Sequence, residues 1–422
     1  MALRHGKYLI QDRLKEKAKH HESYEQLWET KWKQPAMMSL YPFMFGTFTD
    51  FVPIISDLVS KKAGEPYDWE VYAKAHFAQA EHLTSIAAAA NKNGEKAKAS
   101  EYYLRASAVY RMARFPIIRS REQNYAWHMN KELCLKGLSM REHPVREMMV
   151  PHTHAKFGEA SVIPAYYLVP DSATRDAPVP LVIIFCGLDG YRTELAVWMD
   201  GFRQIDVATL VLEIPGTGDC PADPSDVTSP DRLYTSLLDW VALQEPIDQK
   251  RIAVWGFSTG GYYAIRVAHT HHDRIAGAIS LGGGCHHMFD KEWLDEVNHL
   301  EYPFDLANAL AKKWGYDDVE KFKVEGAKKF SLLNDGTLDK KECARLLLVN
   351  GVGDEIFPID DYYLALHHGA SKEARFVLDT KHMGEPESFD VCLRWLYKLF
   401  DIEGDMKVQF AALNTRPKFL EE

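Results

Sequence analysis

The spacing of hydrophobic positions changes once along the chain, near Pro144. Before that point, the runs Asp68–Ala90 and Lys96–Ala113 carry apolar residues three and four apart, the spacing that gathers them on one face of a helix. Asn91-Lys92-Asn93-Gly94 punctuates the two runs, so they predict a helical hairpin. The pattern of Ala99, Tyr102, Tyr103 and Ala106 resembles a tetratricopeptide unit, but one copy makes no array, and ordinary helix packing is the reading. After Pro144, short β-rich runs alternate with helical ones: Ser161–Val169, Leu181–Cys186, Ala208–Ile214, Arg251–Phe257, Ala276–Leu281, Ala344–Asn350 and Arg375–Leu378. Leu181-Val182-Ile183-Ile184-Phe185 is apolar throughout, as expected of a parallel strand covered on both faces. Roughly sixty mostly helical residues separate the strands at 276–281 and 344–350, far more than an ordinary connection. The chain therefore predicts an α/β fold with a mostly parallel sheet flanked by helices. Residues 1–143 form an N-terminal helical cap, and 144–422 a core with a lid inserted at about 286–340. The last twenty residues have no clear pattern and are expected to wrap the surface.

Composition narrows the setting. Hydrophobic residues make up 46% and charged residues 26% of the 422, an ordinary globular balance. A formal net charge of −10 offers no basic footprint for nucleic acid or an anionic membrane. Cysteines at 134, 186, 220, 285, 343 and 392 form no CxxC pair, and several sit in apolar runs, which predicts reduced, mostly buried thiols. The first nineteen residues are broken by Arg4, Lys7, Asp12, Arg13 and Lys15 and are too polar for a secretory signal; Asp12 and Glu16 also argue against a transit peptide. No apolar stretch has the length of a membrane span. The expectation is a soluble cytoplasmic protein.

Chemistry enters at Gly256-Phe257-Ser258-Thr259-Gly260, where a β-rich run meets a helical one. A G-x-S-x-G pentapeptide is common by chance. Between a strand and a helix it describes a sharp turn that projects the serine Oγ at the sheet's carboxyl edge, with small neighbours avoiding collision. The following helix points its positive end at the nucleophile. This is the α/β-hydrolase arrangement, which requires an acid and then a histidine further along. Leu346–Val349 ends in Asn350-Gly-Val-Gly-Asp354-Glu355, so Asp354 lies just past a strand end on a glycine-loosened loop. Arg375–Leu378 leads to Asp379-Thr-Lys-His382-Met-Gly384, which places His382 after the final strand. Ser258, Asp354 and His382 are thus the expected nucleophile, acid and base, with Glu355 a rival acid and Asp379 a weaker one. Taken singly, Asp354 also reads as a helix cap and His382 as a surface residue. The oxyanion hole requires two backbone N–H donors, assigned to Thr259 and to Leu188 in Cys186-Gly-Leu-Asp-Gly190.

These same segments resemble a known group. Gly187-Leu-Asp-Gly190, Pro215-Gly-Thr-Gly218, Gly256-Phe-Ser-Thr-Gly-Gly261 and Gly353-Asp354-Glu355 are similar to hydrolases with an N-terminal helical cap. That group includes 2,6-dihydroxypseudooxynicotine hydrolase, the bacterial fermentation–respiration switch protein and the fungal polyketide-shortening hydrolases of melanin synthesis. The segment from Leu40-Tyr-Pro-Phe43 through Gly46 to Asp50-Phe51 resembles the fungal branch, although Met44-Phe45 stands where that branch carries a polar pair. The resemblance implies cleavage of a carbon–carbon bond in a β-dicarbonyl or acylated aromatic polyketide, and a homodimer through the cap. It implies no cofactor.

Several other residues carry two readings. The aromatic stretch from Tyr41 to Phe51 packs cap against core or walls a flat aromatic pocket, with Phe43 and Phe45 the substrate contacts. Asp189 and Glu213 are site acids or structural hydrogen-bond partners. His269, His271 and His272 fit a helix C-terminus. With His286 and His287 they lack an HExxH or similar pairing, so no metal site is expected. Gly216-Thr-Gly218 lacks the full dinucleotide fingerprint. Three functions remain open: carbon–carbon hydrolysis, ester or lactone hydrolysis or acyl transfer through the same acyl-serine, and a non-catalytic binding protein on this fold.

Overall fold

The computed structural model describes residues 6–61 and 68–412. It divides into two compact units, one built on a sheet and one on helices. The expected surface course of the last twenty residues falls partly outside the described range; a helix at Met406–Ala412 lies within it.

The helical unit comprises Lys17–Glu147 with Asp189–Asp200. Its main helices are α1 (Phe48–Ser60), α2 (Trp69–Lys92), α3 (Lys96–Arg114) and α4 (Arg121–Ser139). Each start is chemically marked. Thr47 and Asp50 form a capping box, Asp68 accepts from the amides of Glu70 and Val71, and Ser120 accepts from Gln123. Gly94 turns the α2–α3 hairpin at a φ of 79°. Ala73, Ala80 and Ala87 recur every seven residues in α2, and Ala99, Ala106 and Ala113 do so in α3, all buried. This stripe of small side chains lets the two backbones approach, which accounts for the spacing of small residues in the sequence without any repeat.

The sheet unit comprises the described residues up to Glu16 together with Met148–Leu188 and Gly201 onward. The helical unit runs to Glu147, four residues past the expected boundary, and membership departs from the expected division at two further places. The first residues belong with the sheet, where Tyr8, Ile10 and Leu14 are buried. Asp189–Asp200 belongs with the helices, where Glu194 finds its ion partners. The strands are β1 (Arg146–Pro151), β2 (Val162–Leu168), β3 (Val179–Phe185), β4 (Ala208–Leu212), β5 (Ile247–Phe257), β6 (Gly277–Leu281), β7 (Arg345–Gly351) and β8 (Glu373–Val377). They lie in the order β1-β2-β4-β3-β5-β6-β7-β8. β2 pairs antiparallel with β4, and every pairing from β4 across to β8 is parallel. β3, β4 and β6 are buried along their whole length, as their apolar runs require.

The parallel core brings the loops after β3, β5, β6, β7 and β8 to one rim, where ligands meet open α/β sheets. α5 (Ser229–Ala242) and α6 (Thr259–Thr270) follow β4 and β5. The inserted segment between β6 and β7 holds α7 (Leu306–Lys313) and α8 (Val319–Phe330) and folds within the sheet unit. α9 (Asp360–Leu366) and α10 (Glu387–Phe400) complete the set used below.

Candidate active site

Ser258 stands between β5 and α6 with φ 53° and ψ −122°. A non-glycine residue held there costs about 1–3 kcal/mol and persists only where its surroundings enforce it. They do so here. Its N–H donates to the Leu281 carbonyl at 2.7 Å and its carbonyl accepts from Gly261 at 2.8 Å, fastening the turn to β6 and α6. The glycines are steric necessities. A Cβ at 256 would strike the Gly260 backbone, and one at 260 would strike the carbonyls of Phe185 and Cys186. The turn therefore fits only a chain with the small residues of the pentapeptide.

His382 follows β8, and its Nε2 lies 2.9 Å from Ser258 Oγ. Its Nδ1 lies 2.9 Å from Asp354 Oδ2. With a carboxylate accepting at Nδ1, the neutral ring carries its proton there and leaves Nε2 to accept from the serine. The histidine backbone N–H donates to Glu301 of the inserted segment at 3.2 Å, and the Phe357 ring meets the imidazole edge-on at 5.8 Å.

Asp354 is fully buried, and all its acceptor capacity is used. Oδ2 also accepts from Asn350 Nδ2 at 2.7 Å, while Oδ1 accepts from the Ile356 and Phe357 amides at 2.7 and 3.1 Å. These bonds offset the cost of burying the charge and fix the oxygen that faces the ring. Asp354 thus caps the following turn and orients the histidine at once. Glu355, the rival acid, turns elsewhere: it is paired with Arg13 and with Lys381 Nζ at 2.7 Å. Asp379 is exposed.

Thr259 opens α6, so its N–H is among the donors that a helix leaves without an internal carbonyl. The Cys186–Leu188 loop runs beside the nucleophile: a Cβ on Gly187 would sit 3.4 Å from that of Ser258. Leu188, the next residue, is buried. The structure therefore gathers Ser258, His382 and Asp354, with Thr259 and the Cys186–Leu188 loop alongside.

The three residues expected to touch substrate belong to the helical unit. Phe43 is buried against Phe51, Trp28 and Trp32, at ring-centroid distances of 4.7, 6.3 and 5.9 Å. Phe45 is buried at a φ of 67°, with the Arg141 guanidinium 5.5 Å from its ring. Asp189 accepts from Tyr41 Oη at 2.5 Å, and its carbonyl accepts from Arg114 at 2.7 Å. Close by, Glu194 is buried between Arg111 and Arg114, at 2.6 and 2.5 Å. Burial pushes its carboxyl up, but the two guanidinium groups prevail and hold it below the usual range.

Other sequence candidates have structural explanations. His269 is buried near the end of α6, its ring bonded to the Ile265 carbonyl, and burial pushes it down to about 4. Glu213 is buried beside Gly218. His286, His287 and Asp290 come within 4.8 Å of one another, but Asp290 is engaged by Lys7 at 2.7 Å, Tyr8 Oη at 3.0 Å and His287 at 2.8 Å. Sequence reading passed over Asn350, Glu301 and Phe357 as site residues. Asn350 alone carried a signal, as a polar residue ending an apolar strand four places before the acid.

A parallel sheet with a strained serine turn and a histidine–carboxylate pair at its rim defines an α/β-hydrolase. The profile of the FrsA-like esterases matches residues 69–397, and the chain belongs to that family. Esterase FrsA of Vibrio vulnificus is 23% identical over 337 residues, covering 78% of this chain and 75% of that protein. Hydrolase acrC of Aspergillus aculeatus is 29% identical over 240 residues, 53% of this chain and 55% of its own. The crystal structure of 2,6-dihydroxy-pseudo-oxynicotine hydrolase superposes with a TM-score of 0.67 at 18% identity, covering 88% of this chain and 95% of that one. AbyA5 superposes at 0.60, also at 18% identity, covering 79% and 91%. Among the described residues, no helix is long and apolar enough to cross a membrane.

Proposed function

We propose that the protein is a serine hydrolase that cleaves a carbon–carbon bond in a β-dicarbonyl or acylated aromatic polyketide. The observation that carries the catalytic part is the hydrogen-bonded chain Asp354–His382–Ser258, with 2.9 Å at each link. Ser258 Oγ attacks a ketone carbonyl as His382 Nε2 takes its proton, and Asp354 stabilises the imidazolium. The N–H groups of Thr259 and Leu188 hold the tetrahedral oxyanion. Collapse breaks the bond to the adjacent carbon, which leaves as an enolate and takes the proton from His382. Water, activated by the same histidine, releases the acyl group from Ser258. An enolate can leave only where a neighbouring carbonyl or phenol delocalises its charge, which restricts the substrate to the classes named. Likeness to hydrolase acrC supports hydrolysis in general. The choice of bond and substrate rests on the resemblance of the sequence motifs to the fungal polyketide-shortening hydrolases. Phe43, Phe45 and Asp189 are the proposed substrate contacts, and the enzyme is proposed to be cytoplasmic and homodimeric through its helical unit.

Membership of an esterase family favours a second reading, ester or lactone hydrolysis or acyl transfer, since the same acyl-serine serves all of them. Product analysis separates the two. A β-diketone naphthopyrone should give a shortened aromatic product and a free acid, faster than simple aryl esters are hydrolysed. Turnover of the esters alone would overturn the carbon–carbon reading. Sedimentation at about twice the 48.2 kDa chain mass would support the dimer, and monomeric sedimentation would remove it.

A further inference from the structure

The loops after β7 and β8 are joined by two side-chain bridges set next to each other: Asp354 to His382, and Glu355 to Lys381. Backbone bonds lace the same loops, from Val352 N to Val377 O and from Gly353 N to Thr380 O, both 2.9 Å. Met383 N donates to Asn350 Oδ1 at 2.9 Å. The Glu355 side chain is only 3% exposed, and a buried carboxylate needs compensating charge. Lys381 supplies one cation, and Arg13 reaches the other carboxylate oxygen from 342 residues away in sequence. Arg13 belongs to a segment that is itself fastened down. Tyr8 is buried against Trp293 at 5.1 Å and donates to Asp290, and Leu9 N donates to Asp360 at 3.0 Å.

We infer that the Arg13–Glu355–Lys381 cluster is a positioning and charge-setting element for the catalytic histidine, with Arg13 making net cationic a cluster that Glu355 and Lys381 alone would leave neutral. This inference rests on the proposed role of His382. Asp354, Glu301 and Glu385 act on that residue directly, and the segments that meet it also carry Glu355 on the acid loop, Lys381 on its own loop and Arg13 on the N-terminal segment. Carboxylates predominate in this set, so the balance at Glu355 decides how much further the imidazolium is favoured. Removing Arg13 takes away one of the two cations on Glu355, leaving a neutral Glu355–Lys381 pair, and so raises the histidine's pKa. Removing the charge of Glu355 leaves two cations and lowers it. A purely structural contact would not give opposite signs.

The test is the rate of covalent labelling by a fluorophosphonate, measured from about pH 5 to 9 on the full chain, since that rate follows the neutral histidine. Arg13→Ala should move the acidic limb up by about half a pH unit, and Glu355→Gln should move it down by a similar amount. The double variant should return close to the wild-type profile, and Arg13→Lys should retain it. Arg13 is 38% exposed, so its variants should fold, and complete final labelling verifies this for each protein. Coincident profiles for the single variants, or shifts of the same sign, would overturn the inference. A folded wild-type protein that does not label at all would overturn the nucleophile assignment, and this inference with it.

Discussion

Asp354 in the sheet unit and Glu194 in the helical unit are both buried carboxylates satisfied by several donors, yet they face different kinds of partner. Glu194 accepts from two arginines, from Thr193 and from the Tyr191 amide. Its cations are permanent, so nothing in the cluster changes charge near neutral pH. Asp354 accepts from two amides, an asparagine and one histidine, a group whose charge does change in that range. A buried anion paired with fixed cations organises a core, whereas one paired with a titratable ring next to a hydroxyl organises a reaction. The adjacent residue Glu355 repeats the contrast within a single loop.

Substitutions should separate the two roles. Ser258→Ala should lower turnover by at least about 10⁴-fold, measured on an aryl ester or a β-diketone, because no other group can carry the acyl intermediate. Asp354→Asn should cost about 10⁴-fold with the fold retained, since an amide would favour the wrong imidazole tautomer. Similar losses in Glu355→Gln would break the distinction between the neighbouring acids. Glu194→Gln should instead be read in stability. Leaving two buried arginines uncompensated should cost about 3–5 kcal/mol in denaturant unfolding, with the pH dependence of labelling unchanged in shape.

A smaller effect comes from the buried histidines. Burial pushes His76 and His269 down to about 4, whereas the unfolded chain titrates them near 6.5. Between those values the unfolded state binds the extra protons, so stability should fall as pH drops from about 6.5 towards 4, by at most about 3 kcal/mol for each histidine. Unfolding curves across that range check the sign, and His76→Gln should flatten the fall.

What the sequence revealed follows the reach of each interaction. β3, β4, the Ile252–Phe257 half of β5 and Leu346–Val349 of β7 were legible because a covered parallel strand must be apolar where it is buried, while the polar first half of β5 was not. The serine turn was legible because its glycines are required by backbone collisions within the turn and with β3. β1 escaped notice because most of its residues are exposed and its only apolar run, Met148–Val150, is three residues long. Arg13 and Glu194 escaped for a different reason: their partners lie 342 residues away and 80 or 83 residues away, and no local period records such a pairing. The histidine and its acid could be named as candidates only because the order of groups along this fold is fixed. Asp354 was already the expected acid with Glu355 its rival; the coordinates add the physical reason, since the Ile356 and Phe357 amides hold one oxygen of Asp354 and leave the other to the ring.

Peptide mapping after reaction with a fluorophosphonate tests the central claim most directly. The folded protein should carry one adduct, on the peptide containing Ser258, absent in Ser258→Ala and formed far more slowly in His382→Ala. An adduct that survives the loss of Ser258, or a folded wild-type chain that takes none, would contradict it.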